Sequence, residues 1–239
     1  MNDSPITIVF SHIAGHTNSE GLKLALRSLR YFRHEHRVVV IGDRPEWMND
    51  DVTVIDHPAI ESVQESKMEQ LKLAIESDLV TDDFIWMPDN VFFVSPTLLA
   101  DIIILKTVGE IDPKCGMRRK TVDILKNGGY GTLDFCTYTP YFLSKAGLTE
   151  LFTEDNVKEV IKELDLISLY FNVVAKGYSA LKLDFKTDNI KLSVFSEKPD
   201  VTAFKKYVAG KKFLHNLLSS EIVYDYLRKA FPSESKYEK

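Results

Sequence analysis

The stretch DDFIWMPDNVFF, Asp82 to Phe93, ends an apolar run with a carboxylate and a carboxamide side by side, Asp89 and Asn90. Oxygens of that kind suit three uses: ligation of a hard divalent cation, a hydrogen-bonding grip on a sugar, or a plain turn, since Pro88, Asp89 and Asn90 all favour turns. Similar polar residues stand at the ends of three other apolar runs, at Ser11-His12, Gly42-Asp43-Arg44 and Asp56-His57. Further along lie the basic run Met117-Arg118-Arg119-Lys120 and the carboxylates Asp123 and Asp134. All of these types can bind anions, hold cations or move protons.

Other chemistries are excluded by spacing. Gly210-Lys211 lacks the upstream glycine and the following Ser or Thr of a phosphate-cradling loop. The glycines of NGGYG, residues 127–131, follow no first strand and open no helix, so they are not a dinucleotide fingerprint. No Gly-x-Ser-x-Gly elbow occurs. His12 with His16, and His34 with His36, lack a third ligand at helical spacing and read as ordinary loop and helix-end residues. Cys115 and Cys136 are too few for a disulfide framework and read as two reduced thiols.

The elements that must position these groups alternate. ITIVFS (6–11), RVVVIG (37–42), VTVID (52–56) and DFIWM (83–87) are rich in β-branched and aromatic residues and read as buried strands. Between them, Leu22, Ala25, Leu26, Leu29 and Phe32 predict a helix over 20–33, with Thr17 and Glu20 as its capping box. Met68, Leu71 and Ile75 predict a second helix over 62–77, and Pro96 is expected to open a third at its first position. Strand–helix alternation implies an α/β sandwich with a mainly parallel sheet, whose ligands bind outside the carboxyl ends of the strands.

Residues 107–131, with Gly109, Pro113, Gly116 and the glycine cluster, read as an irregular functional loop or lid. Beyond it, DFCTYTPYF reads as extended, helices are expected over 144–152, 157–164, 167–175 and 219–230, and YSALKLDF with IKLSVF reads as a hairpin or edge strands. One domain over 1–181 with an extension over 182–239 packed on it is the simplest organisation.

Composition agrees with a folded protein: 239 residues, 44% hydrophobic and 27% charged. The net charge of −5 is uneven, because residues 182–239 hold 12 Lys+Arg against 8 Asp+Glu and the remainder 18 against 27. A basic extension on an acidic body is either a solvated face or a surface for an anionic partner such as nucleic acid. The N-terminal run has no basic flank, and LLADIIIL (98–105) is too short and too interrupted to span a bilayer, so a cytoplasmic location is expected.

At DDFIWMPDNVFF the chain resembles the nucleotide-sugar glycosyltransferases of the GT-A fold, and within them the bacterial and phage group related to Stealth-type capsular sugar-phosphate transferases. The resemblance is carried there by Asp82, Asp83, Phe84, Met87, Asp89, Phe92 and Phe93. Leu26 to Leu29, then Gly42, Asp43, Arg44, Pro45 and Trp47, then Thr139, Pro140, Lys145, Ser168, Tyr170 and Asn172 extend it, in order, over residues 6 to 175. Pro88, Asn90, Tyr138 and Ile167 depart from the family's pattern.

The resemblance implies a GT-A-like, Rossmann-like three-layer α/β/α sandwich with a C-terminal helical extension. It also implies transfer of a sugar from a nucleotide diphosphate donor to a hydroxyl. Asp89 and Asn90 would hold Mn²⁺ or Mg²⁺ on the donor diphosphate, and Asp89 would count as catalytic. Ser11, His12, Asp43, Arg44, Lys67, Gln70, Asp89 and Arg118 would bind the donor, with Lys67, Arg118 or Arg119 supplying positive charge where no metal does. Asp134, with Asp123 behind it, would be the base that takes the acceptor proton. The acceptor would be a glycan or, given the basic extension and Arg118-Arg119-Lys120, a hydroxymethylated base in DNA. A sugar-nucleotide-binding protein without catalysis is the alternative from another class. In each case the carboxylate at 89 is expected to project from the sheet's rim into an open cleft.

Overall fold

The computed structural model describes residues 5–13, 19–58, 60, 62–154, 157, 163–184, 186–192, 206, 208–216 and 221–239, with backbone alone at 190–192. Strands β1 (Ile6–His12), β2 (His36–Gly42), β3 (Thr53–Ile55) and β4 (Asp83–Pro88) run parallel, and β9 (Tyr141–Ser144) adds an antiparallel edge, in the order β3-β2-β1-β4-β9. Strand residues point alternately to the two faces, so each strand feeds two cores. Ile8, Phe10, Val38, Val40, Ile85 and Met87 join the cluster under α1 (Ser19–Ser28). Val9, Val39, Ile41, Phe84 and Trp86 join the one under α2 (Val63–Glu76). Burial on both faces explains why these strands read as continuous apolar runs.

The second face also carries α4 (Gly116–Asn127), α5 (Lys145–Thr153) and α6 (Leu166–Val174), and α7 (Glu221–Ala230) packs beside α1 on the first. Helix α2 starts where Ser62 accepts a hydrogen bond from the Glu65 amide at 3.3 Å. Strand β5 (Val91–Phe93) leaves the main sheet after the tight turn at Asp89-Asn90 and pairs antiparallel with β12 (Phe213–Asn216), which pairs parallel with β11 (Asn189–Leu192). Short strands β6 (Lys106–Thr107) and β10 (Leu181–Lys182), and β7 (Gly109–Glu110) and β8 (Leu133–Asp134), pair off below. Among the described residues no helix is long and apolar enough to cross a membrane.

Several expectations change. Residues 116–127 form a helix inside the stretch read as irregular: Thr121, Val122 and Leu125 bury one face, and the glycines only end it. Gly129 takes φ +71°, its amide bonding Lys126 O while Tyr130 N bonds Leu125 O, a left-handed stop suited to glycine. Pro96 does not open a helix. The neighbouring Thr97 exchanges backbone bonds with Tyr31 and Arg33, and α3 (Leu99–Ile103) starts later, where Asp101 accepts from the Leu98 amide. Strands β10 and β11 do not pair as a hairpin; of the two expected forms they take the edge-strand one, β10 beside β6 and β11 beside β12. Thr17, His16 and most of 157–164 lie outside the described residues; Glu20 instead meets Arg228.

Candidate active site

The chain runs from β1 outward through β2 to β3, then returns to place β4 on the other side of β1. The crevice between β1 and β4 is therefore the topological switch point, where open α/β sheets bind ligands. Ser11 is level with Pro88 across it, so His12 and Asp89 are the next pair. Their side chains meet: His12 Nδ1 lies 3.2 Å from Asp89 Oδ2. Among the described residues His12 is the one side chain bonded to that carboxylate.

Tight packing builds this rim. Gly42 adopts φ +132°, and a Cβ there would stand 1.7 Å from the His12 carbonyl, so only glycine fits beside β1. Asp43 N then bonds that carbonyl at 2.9 Å. Helix α1 approaches just as closely, a Cβ on Gly21 falling 3.0 Å from Asp89 O. Ser11 donates to Gln70 Oε1 at 2.6 Å, and Gln70 Nε2 donates to Ile41 O at 2.8 Å, tying α2 to the same rim.

Asn90 meets a strand the sequence reading did not select. Asn216 N donates to Asn90 O at 2.9 Å, and Asn90 Nδ2 reaches Asn216 O at 3.5 Å. Next to Asn216, the buried His215 ring stacks on Tyr138, with centroids 4.4 Å apart and planes at 8°. Tyr138 has φ +53°, alone among described non-glycine residues, and is held there by Tyr141 and Asn189, the latter donating to Thr137 O and Tyr138 O. Burial raises the Tyr138 hydroxyl above its ordinary value, with nearby Cys136 and Asp165 adding to the effect. His215, Asn216 and Tyr138 carried no local signal beyond polarity inside an apolar strand and departure from the family's pattern.

Asp134 lies beyond Tyr138. Its Oδ2 pairs with Arg118 and its Oδ1 accepts from the Cys136 amide at 2.9 Å. Cys136 Sγ in turn donates to Asp165, which caps α6 and bonds Ser168. Burial first, then Asp165, pushes the Cys136 thiol far above its usual range. Asn172, one turn after Ser168 on the same helix face, clamps Leu133 N and O. The matched Ser168 and Asn172 thus position Asp134 by way of β8.

Other expected residues fall elsewhere. Asp82 and Asp83 sit at the opposite end of β4, about 20 Å from Asp89 for six residues of strand. Arg44 turns back on its own loop, donating to Asn49 O at 2.7 Å and Val52 O at 3.0 Å. Lys67 is exposed on α2, and Asp123 on the outer face of α4. Asp89 reaches the rim as expected, but only 7% of it is exposed, so the open cleft is not seen in front of it. A cavity of about 40 Å³ lies instead between α3 and β9, lined by residues such as Ile104, Phe135 and Thr137, room for a water rather than a nucleotide. Residues 14–18 and 217–220 are outside the described residues.

Two donor sets bear on a metal. Asp134, Cys136 and Asp165 lie close enough to share an ion. They do not fit one, since Arg118 already neutralises Asp134 and the thiol is protonated and bonded to Asp165. Asp89 and Asn90 supply hard oxygens from one carboxylate and one carboxamide, with the Asp89 Oδ1 free of bonds to described residues. Oxygens of this kind are those Mg²⁺ or Mn²⁺ takes when phosphate and water complete the shell.

No protein-family model matches the sequence, and no curated protein does. Solved structures do match in shape. A crystal structure of an active-site mutant of LgtC superimposes with TM-score 0.53 at 12% identity, covering 97% of this chain and 98% of that one. The galactosyltransferase LgtC in complex with donor and acceptor sugar analogues matches with TM-score 0.53 at 11% identity over the same shares. The chain has the GT-A fold. At such identity the likeness speaks for the fold alone.

Proposed function

We propose that this protein is a glycosyltransferase that moves a sugar from a nucleotide diphosphate donor to a hydroxyl acceptor, assisted by Mn²⁺ or Mg²⁺. The observation that carries the reading is the His12–Asp89 pair at the switch point of a GT-A sheet. Ser11 and Asp43 edge the side where the nucleoside would lie, with Gln70 holding Ser11 in place. Asp89 and Asn90 face the diphosphate. A cation held by their oxygens would stabilise the charge that develops on the leaving phosphate.

In the transfer, the bond from the anomeric carbon to the phosphate oxygen breaks and a bond from that carbon to the acceptor oxygen forms. The acceptor proton goes to Asp134, and the nucleoside diphosphate leaves. Both Asp134 oxygens are bonded at rest, so proton acceptance requires Arg118 to leave Oδ2. A diphosphate is the natural destination for that guanidinium. The resemblance of the ordered sequence blocks to the Stealth-related group favours a cell-surface glycan as acceptor.

The test is release of nucleoside diphosphate from a panel of UDP-, GDP-, ADP- and dTDP-sugars, with and without Mn²⁺. Turnover that is lost in Asp89→Ala supports the reading and eliminates a purely binding protein. A folded wild-type protein that neither binds nor turns over any of them sinks it. A second reading, a hydroxymethylated base in DNA as acceptor, is favoured by the basic excess of residues 182–239, where Lys182, Lys186 and Lys206 are exposed. It requires DNA affinity that falls steeply with salt.

A further inference from the structure

The segment from Phe231 to Lys239 lies across the outside of α1 and ends on the loop that follows β2. Its centre is Glu238, whose side chain is 1% exposed although it carries a charge. Arg27 donates to both of its oxygens, Nε at 2.8 Å and Nη2 at 2.6 Å, Lys23 Nζ lies 3.3 Å away, and Ser235 adds its amide and hydroxyl. Arg27 Nη1 also holds Phe231 O at 3.1 Å, so both ends of the segment are tied to one guanidinium.

From this hub the backbone grips the loop 43–52. Lys239 N bonds Trp47 O at 2.9 Å, Asn49 N bonds Tyr237 O at 3.0 Å, and Asn49 Nδ2 donates to Lys236 O at 2.6 Å and Glu238 O at 3.2 Å. Met48 forms a β-bridge with Glu238. Asn49 O and Val52 O are the carbonyls that receive the Arg44 guanidinium, and Asp43 N is bonded to His12 O at the rim. A short loop in which only Met48 and Val52 are buried is thereby fixed at its start by β1 and at its middle by this strap.

We propose that the segment 231–239 is a strap that sets the donor-binding loop, with Glu238 and Asn49 as positioning residues for nucleoside recognition. This rests on the reading of the rim as a sugar-nucleotide site. A surface loop left to itself samples open states, and each such state weakens a ligand that needs one conformation. The strap acts on donor affinity and not on the bond-making step, since none of its groups faces the Asp89–Asn90 turn.

Two variants separate this from simple stabilisation. Glu238→Gln removes the charge at the hub, and Asn49→Ala removes the two side-chain bonds between the loop and the strap while leaving the Arg27–Glu238 pair intact. Amide hydrogen exchange over residues 43–52 is expected to quicken in both, while the strands of the main sheet keep their protection. The sugar nucleotide giving the largest thermal shift on the wild type should bind each variant about tenfold more weakly, with kcat within about twofold. Unchanged exchange at 43–52 in Asn49→Ala would overturn the strap. Faster exchange with unchanged affinity would overturn its donor role, as would a wild type that binds no sugar nucleotide; only this last result also removes the reading of the rim, and the exchange arm tells the cases apart.

Discussion

Asp89 and Asp134 are buried to nearly the same extent, 7% and 5% exposed, and both were expected to do chemistry, yet their surroundings differ. Asp89 sits at a sheet rim with one histidine on one oxygen. Asp134 has an arginine on one oxygen and a backbone amide on the other, and belongs to a chain of bonds that runs through Cys136 and Asp165 to the cap of α6. A carboxylate with an unused oxygen is ready for a ligand at little structural cost. One whose oxygens are both engaged is part of the architecture until a partner is drawn away.

The largest effect is expected at Asp89. Asp89→Ala should lower turnover by about 100-fold or more, the loss typical of removing a group that stabilises charge in the transition state. Its urea midpoint should stay near that of the wild type. A variant that loses its midpoint as well would make Asp89 structural and erase the contrast.

Asp134→Ala should do the reverse in stability, costing about 3 kcal/mol because Arg118 is left half-buried and unpaired. Urea denaturation reads this directly. An Asp134→Ala protein as stable as the wild type would move that residue into the same class as Asp89.

Glu238 extends the series to a carboxylate that is all architecture. Burial alone would raise its pKa, but the hydrogen bonds from Arg27 and Ser235 outweigh that and hold it at about 2. With a folded pKa below the unfolded value near 4.5, its contribution is complete above that value and is lost as pH falls through about 2. The stability gap between the wild type and Glu238→Gln, measured in urea, should therefore be constant from pH 7 to 5 and narrow from pH 4.5 downward. A gap that holds its size to pH 2.5 would mean the charge is not what the bonds require.

The smallest effect concerns the two thiols. Burial and Asp165 keep Cys136 protonated, whereas Cys115 is exposed. Iodoacetamide at pH 8 should label one cysteine, Cys115, by peptide mass mapping, because the thiolate is the reactive form. Ready labelling of Cys136 in the folded protein would show that its cluster opens, and that the Asp134 region is looser than its bonds suggest.

Much of the fold was legible in the chain. The four parallel strands, α1, α2 and α6 have unbroken apolar periodicity, and local pattern decides such elements. Helix α4 was missed because its exposed face is a basic run and its ends are glycines, which together look like a loop. The pairing of β5 with β12 was out of reach because it joins residues more than a hundred positions apart and no short motif announces it.

Asp89, Asn90, His12 and Asp43 do lie at or just past strand ends, since the end of a strand can be read from where its apolar run stops. That alone decided which residues would share the rim of the sheet. Whether Asp89 meets His12, whether Arg44 points outward or folds back on Asn49, and whether Asp134 is free or held by Arg118 depended on strand order and on the loops and helices packed around them. Local pattern specifies which face a side chain takes, because the backbone repeats. Its partner comes from distant segments brought together only by burial of the core, and that is a property of the tertiary structure.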